Sequence, residues 1–366
     1  MRIGILGTRG IPNYHGGFEQ FAEFFAVFLA KNGHETYVYT SSKHPYQKPE
    51  FQGVHLIHCK DPEYKIGTAG QFIYDLNCIL DARKRNFDIL LQLGYTSNSI
   101  WHWLLPKKTI IVTNMDGLEW KRSKYNKWVR RFLKFAERWA VKSSDYLIAD
   151  SKGIQAHLKR TYRKDSEYIA YGASCFFSPN PKVLETYQVE PENYHLLIAR
   201  MEPENNIETI LEGAKDHPDT PFLVVGKHDV NSFGKYLTQK YQLFPHIRFL
   251  GGIYDLEHLN NLRYYSKLYF HGHSVGGTNP SLLEAMASNA LVVAHQNEFN
   301  KAILEEDALY FETISGVSDA IKKVMQKADY QSFLNRNQTK VQELYSWENI
   351  NRKYLGFFKR IYEKGD

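Results

Sequence analysis

The chain has 366 residues, of which 43% are apolar and 23% charged, and a formal net charge of +6 at pH 7. This composition excludes a disordered or fibrous chain, and the length suits two globular halves at about 100 to 200 residues per domain. No stretch reaches the roughly eighteen apolar residues of a membrane span, and Met1 to Leu6 lacks the charged start and cleavage site of an export signal, so a cytoplasmic protein is expected.

In chain order, the pattern predicts strands at Arg2 to Leu6, Thr36 to Tyr39, Val54 to His58, Ile89 to Gln92, Thr109 to Thr113 and Tyr146 to Ala149. Turn residues break the rhythm between Phe176 and Asn193, where a hinge is expected. It restarts with Tyr194 to Ala199, Phe222 to Val225, Ile247 to Leu250, Leu268 to His271 and Leu291 to Ala294. Strands alternating with helical patterns imply parallel sheets with crossover helices. Expected domains are 1–180 and 181–346, two Rossmann-like α/β units facing across a cleft, with ligands at the carboxyl edges of their strands. The tail 347–366 carries Ile350, Tyr354, Phe357, Phe358 and Ile361 at helical spacing and is expected to pack back on the first domain. Cys59, Cys78 and Cys175 fit neither a zinc site nor a disulfide framework.

The first strand runs into Gly7-Thr8-Arg9-Gly10-Ile11-Pro12 and then Gly16-Gly17-Phe18-Glu19. A glycine-rich turn opening a helix brings backbone N–H groups and a partial positive charge toward an anion, so Gly16 and Gly17 are candidate donor-binding residues; a bare strand-to-helix turn is the alternative. The G-x-G-x-x-G fingerprint is not met, and no acid follows the second strand to grip a ribose, which argues against NAD or FAD. No cofactor is expected.

Asp116 lies just past the strand Thr109 to Thr113, where its carboxylate would bind the hydroxyls of a ligand, assist the deprotonation of one, or merely cap the turn before Gly117. Glu119, Trp120 and Arg122 share that ambiguity and are candidates for the ligand that carries that hydroxyl.

From Lys121 to Lys142 there are nine Lys and Arg against the single acid Glu137. Trp128, Phe132, Phe135 and Trp139 recur at helical spacing, and this aromatic stripe is read as core. The cations are read as a dock for anionic lipid, at roughly 1 kcal/mol per well-placed charge. No nucleic-acid module is visible.

Between Leu268 to His271 and the next helix lies His271-Gly272-His273-Ser274-Val275-Gly276-Gly277-Thr278-Asn279-Pro280-Ser281. Proline suits a first helical position, so the N–H groups of Gly277, Thr278 and Ser281 are expected to face an anion such as a diphosphate. Gly276 and Asn279 belong to the same candidate loop, and Glu284, about one turn in, would accept from the hydroxyls of a ribose. No D-x-D occurs, and His271 with His273 lacks a third ligand, so no metal is expected.

This loop, its helix and Leu291 to Ala294 resemble the donor-binding region of retaining glycosyltransferases with the two-Rossmann (GT-B) fold. Of the family's E-x7-E, the second Glu matches Glu284 and the first falls on Gly276. The N-terminal glycine motif, Asn114 to Arg122 and His273 to Pro280 together resemble the rhamnosyltransferase subgroup. The resemblance implies a nucleoside-diphosphate sugar donor, a hexosyl or deoxyhexosyl group such as rhamnosyl, and a saccharide or lipid-linked acceptor. It also makes Arg200, just past Leu196 to Ala199, the cationic partner of the departing diphosphate; a surface ion pair with Glu202 or Glu204 is the alternative. The family's second cation, a lysine five residues on, is replaced by Asn205, and Lys227 is the candidate substitute. An epimerase or phosphorylase on the same scaffold, or a non-catalytic sugar-nucleotide binder, are the competing readings.

Overall fold

Eight short runs of the first half pair into one sheet: β1 (Arg2–Leu6), β2 (Glu35–Ser41), β3 (Glu50–Phe51), β4 (Val54–Cys59), β5 (Ile89–Leu93), β6 (Ile110–Asn114), β7 (Tyr146–Ala149) and β8 (Glu167–Tyr168). Their order is β3-β4-β2-β1-β5-β6-β7-β8, parallel throughout except that β3 runs antiparallel to β4. The central strands are almost wholly buried, which is why they read as apolar runs such as Ile89 to Leu91. The computed structural model from which these elements are taken describes residues 1–14, 16–122, 125–275, 277–324 and 326–364.

The second half forms β9 (His195–Ile198), β10 (Phe222–Val225), β11 (Ile247–Gly251), β12 (Leu268–His271), β13 (Val292–His295) and β14 (Leu309–Phe311). These six are parallel in the order β11-β10-β9-β12-β13-β14. Leu197, Phe222, Val224, Phe270 and Val293 meet Ile210, Leu211 and Val317 from the covering helices in one buried cluster. Each such side chain contributes about 1.5 to 3 kcal/mol by leaving water. The eleven strands expected from the sequence are all present, with ends shifted by a residue or two. The strands not foreseen, β3, β8 and β14, are two or three residues long and too short for any periodicity. β3 is returned to β4 by Gln52 and Gly53, whose positive φ values of 49° and 84° suit a tight hairpin turn.

By its internal contacts the chain divides into Met1–Lys121, Tyr125–Tyr171 and Trp347–Asp366 on one side, and Arg122–Lys124 with Gly172–Ser346 on the other. Within the second unit, Ala173 forms a parallel bridge with Ser346, and its N–H donates to Tyr345 O at 2.8 Å, so the chain enters and leaves that unit side by side. The segment read as a hinge is held by the second unit: Phe176 N–H donates to Ala287 O, and Asn180 N–H to Asn261 Oδ1.

The closing helix Trp347–Glu363 buries Ile350, Tyr354, Phe357, Phe358 and Ile361. It packs on the helix Gly17–Lys31, with Tyr354 ring centroids 4.8 Å from Phe21 and 5.0 Å from Phe25, as its spacing led us to expect.

The basic helix Lys127–Ser143 departs from expectation on one point. Phe132 and Trp139 are half-buried, but Trp128 is 77% and Phe135 42% exposed, so the aromatic stripe is not all core. The buried face instead carries Leu133, Ala136, Glu137, Ala140 and Val141. Among the described residues no helix is long and apolar enough to cross a membrane.

Candidate functional site

In the second sheet the chain builds outward from β9 through β10 to β11, then crosses back to lay β12 on the other side of β9. Strand order reverses between β9 and β12, and the carboxyl ends of the strands at such a reversal are the usual ligand position in an open α/β sheet. Arg200 follows β9 here, and Gly272 to Asn279 follow β12.

These two loops are stitched together. Asn205 donates from Nδ2 to Arg200 O at 2.7 Å, which turns its Oδ1 to His273 Nδ1 at 2.9 Å. That orientation requires His273 Nδ1 to be the donor. Ser274 donates from N and Oγ to Glu204 O at 3.1 and 2.8 Å, and Asn206 Nδ2 donates to Gly272 O at 2.7 Å. A Cβ on Gly272 would lie 1.9 Å from Asn205 O, so only glycine permits the approach. Burial, helped by the charges of Arg122 and Arg200, pulls the His273 imidazole down to about 4, and burial beside His273 pulls His271 to about 3. Both rings are therefore neutral at pH 7.

Arg200 itself is exposed; the stitching uses its carbonyl, and its positive charge is felt by the His273 ring. Asn205, standing where the resemblance expects a lysine, is a buried structural link. Lys227 follows β10 on the same edge of the sheet, exposed, with its ammonium 5.3 Å from the centroid of the Tyr254 ring.

Thr278 is buried, and Asn279 caps the helix Pro280–Ala287 by accepting from Ser281 N–H at 2.9 Å. This corrects one expectation: Ser281 N–H is engaged by the cap, and Asn279 turns its oxygen inward to supply it. Gly277 and Thr278 remain the loop amides that precede the cap. Gly276 lies outside the described residues. Glu284 reaches Arg263 Nη2 through Oε2 at 2.5 Å, and Arg263 is only 1% exposed. Arg263 also donates to Asn260 Oδ1 at 3.2 Å. The glutamate is thus held by a buried guanidinium, an arrangement that local sequence gave no sign of, because Arg263 sits in an ordinary polar helix.

In the first sheet, order reverses between β1 and β5, and the glycine-rich turn occupies that point. Gly7, at φ 91°, would put a Cβ 2.2 Å from Leu93 O. Arg9 is fixed from both ends: its N–H donates to Glu19 Oε1 at 2.9 Å and its guanidinium grips Glu63 through Nε at 3.0 Å and Nη2 at 2.8 Å. Gly16 precedes the helix, its N–H donating to Asn13 Oδ1 at 3.2 Å, and Gly17 O accepts from Tyr171 Oη at 2.9 Å. The Gly16 amide is therefore engaged by the loop itself. Beneath the turn, Tyr74 Oη donates to Thr8 O at 2.9 Å, and the neighbouring Asp75 carboxyl accepts from Ser97 Oγ. Burial pushes Asp75 up to about 7, against the lowering effects of Ser97 and Arg9.

Asp116 is half-buried at φ 38°, a left-handed conformation that aspartate tolerates at a cost and that concentrates at functional sites. Its N–H donates to Asn114 Oδ1 at 3.0 Å, while Asn114 Nδ2 donates to Tyr354 Oη at 3.0 Å. The turn beyond is anchored from below. Tyr95 Oη donates to Gly117 O and lies 3.3 Å from Glu119 N, and Trp120 Nε1 donates to Glu137 Oε2 at 3.0 Å. Glu137 also accepts from His157 at 2.9 Å and Tyr162 at 2.6 Å. Burial alone would raise this carboxyl; those hydrogen bonds outweigh it and hold it below its usual range. Glu119 is buried, Trp120 is half-buried, and Arg122 groups with the second unit. Among the described residues no three His, Cys, Asp or Glu side chains come together to hold a metal ion.

Two parallel-sheet Rossmann-like domains of this kind define the GT-B fold. Sucrose-phosphate synthase from Thermosynechococcus elongatus superimposes with a TM-score of 0.84 at 16% identity, covering 99% of each chain. HepE from Anabaena in complex with UDP-glucose gives 0.75 at 14% identity, over 98% of this chain and 99% of that one. The α,α-trehalose 6-phosphate synthase of Burkholderia multivorans gives 0.71 at 12%, over 100% and 99%. Residues 185–341 match the family described as glycosyl transferases group 1, and residues 1–174 match a domain of unknown function (DUF1972). The glycosyl transferases group 1 match thus falls within the second unit. No curated protein matches the sequence.

Proposed function

We propose that the chain is a retaining glycosyltransferase that moves a hexosyl or deoxyhexosyl group from a nucleoside-diphosphate sugar to a glycan or lipid-linked saccharide in surface polysaccharide synthesis. L-rhamnosyl, from dTDP-rhamnose, is the group that the motif resemblance favours. The observation that carries the reading is the stitched pair of loops at the switch point of the second sheet, which lies inside the group 1 domain. There the guanidinium of Arg200 and the amides of Gly277 and Thr278 meet the diphosphate, with Lys227 as the second cation. These groups need no metal. Glu284, its rotamer fixed by Arg263, takes the ribose hydroxyls. A UDP-hexose is the ligand of the HepE complex, and the same class of donor is proposed here.

In the reaction, the anomeric carbon–oxygen bond to the diphosphate breaks and the acceptor hydroxyl attacks from the same face. Its proton passes to the departing phosphate, and Arg200 stabilises the charge that develops there. Asp116 acts on the acceptor side, at a backbone position whose strain supports a functional role. Thermal-shift measurement against UDP, GDP, ADP, CMP and dTDP sugars, with EDTA present, is expected to give one selective shift. Absence of any shift would remove the donor site; a shift without transfer to any acceptor would favour a non-catalytic binder.

A further inference from the structure

We infer that the exposed face of the helix Lys127–Ser143 docks the protein on an anionic lipid bilayer, with aromatic rings entering the headgroup layer between cations that meet lipid phosphates. Exposed positions run as Trp128, Arg131, Phe135, Arg138 and Lys142, steps of three and four residues that draw one unbroken ridge along the helix. Lys127 and Lys134 flank it, also exposed. Ring and cation alternate from Trp128 to Arg138, with Lys142 a further cation, and the Arg131 guanidinium lies 6.0 Å from the Phe135 centroid.

The patch continues past the helix. Trp103 is 60% exposed and meets His102 edge-on at 5.1 Å, while His102 stacks on Trp139 at 5.8 Å. A tryptophan left 77% in water is unusual in a soluble protein and is at home where one side of the ring is apolar and the other wet. Charge is complementary to anionic lipid as well. The one acid of the helix, Glu137, is buried and already accepts from Trp120, His157 and Tyr162, so it puts no negative charge on this face. Nucleic acid would also attract these cations, but a single-stranded binder tracks the backbone in a groove, whereas this is the outward ridge of one helix, suited to lying in a membrane plane. The inference stands apart from the donor reading, since lipid binding requires no sugar transfer.

The test is cosedimentation of the full chain with vesicles of phosphatidylcholine alone and with about one third phosphatidylglycerol added. Binding to the anionic vesicles only, weakening with salt, is expected. Arg131→Glu with Arg138→Glu should reduce partitioning at least about thirtyfold, and Trp128→Ala about tenfold, with melting temperature and nucleotide binding unchanged. Should the charge reversal unfold the protein, Arg138→Gln with Lys142→Gln is read instead, with a loss of roughly tenfold or more expected. Quenching of tryptophan fluorescence by brominated lipid should fall in Trp128→Phe. Equal binding to neutral vesicles, no binding, or binding unaffected by the charge variants would overturn the inference. So would a single-stranded oligonucleotide that binds more tightly than the vesicles at the same salt, or a dimer that Trp128→Ala dissolves.

Discussion

Arg200 contributes its carbonyl to the fold, while the role proposed for it rests on its side chain, so the two separate by mutation. Arg200→Ala keeps the carbonyl that Asn205 holds and should melt as wild type does, while transfer falls on the order of a hundredfold or more. Asp116 allows a similar separation. Asp116→Gly relieves the φ of 38° but removes the carboxylate, and Asp116→Asn keeps the side-chain shape. If the carboxylate acts, both lose turnover, and Asp116→Gly does so without losing stability in a denaturant titration. Asp75 gives a pH prediction. Its carboxyl, near Ser97, Arg9 and Asp61, is pushed up to about 7 by burial, above its value in an unfolded chain. The native state then holds an extra proton between about pH 4 and 7, and stability falls as pH rises through that window. Asp75→Asn should flatten this dependence, so that its melting temperature gains on wild type at pH 8 and not at pH 4.

Strands and helices were legible because their signals are local. Apolar runs of four or five residues mark buried parallel strands, and Ile350, Tyr354, Phe358 and Ile361 mark one face of the closing helix. Arg263, Asp75 and Glu137 were not legible, because each is defined by partners brought to it by the fold: Glu284, Ser97, and the set of Trp120, His157 and Tyr162. Local sequence also misplaced Trp128 and Phe135, since helical spacing identifies a stripe but not which side of it meets the sheet. The loops after β9 and β12 were legible as glycine and histidine motifs, yet their stitching through Asn205 and Asn206 was not. Gly272→Ala tests that stitching: a methyl 1.9 Å from Asn205 O must push the loops apart. A loss of about 1 to 3 kcal/mol in a denaturant titration, together with weaker nucleotide binding, is expected.

At the scale of the molecule, the second unit carries the loops proposed to hold the donor, and the first unit carries Asp116, the anchored turn at Gly117 to Trp120, and the basic ridge. The donor half of this account is the central claim, and calorimetric titration of UDP, GDP, ADP and dTDP into wild type and Arg200→Ala, in EDTA, tests it most directly. We expect one nucleoside diphosphate to bind wild type selectively without metal, and to bind Arg200→Ala at least about tenfold more weakly, as loss of a charged hydrogen bond of about 1.5 to 3 kcal/mol requires. No binding to wild type, or equal binding to both proteins, would contradict it.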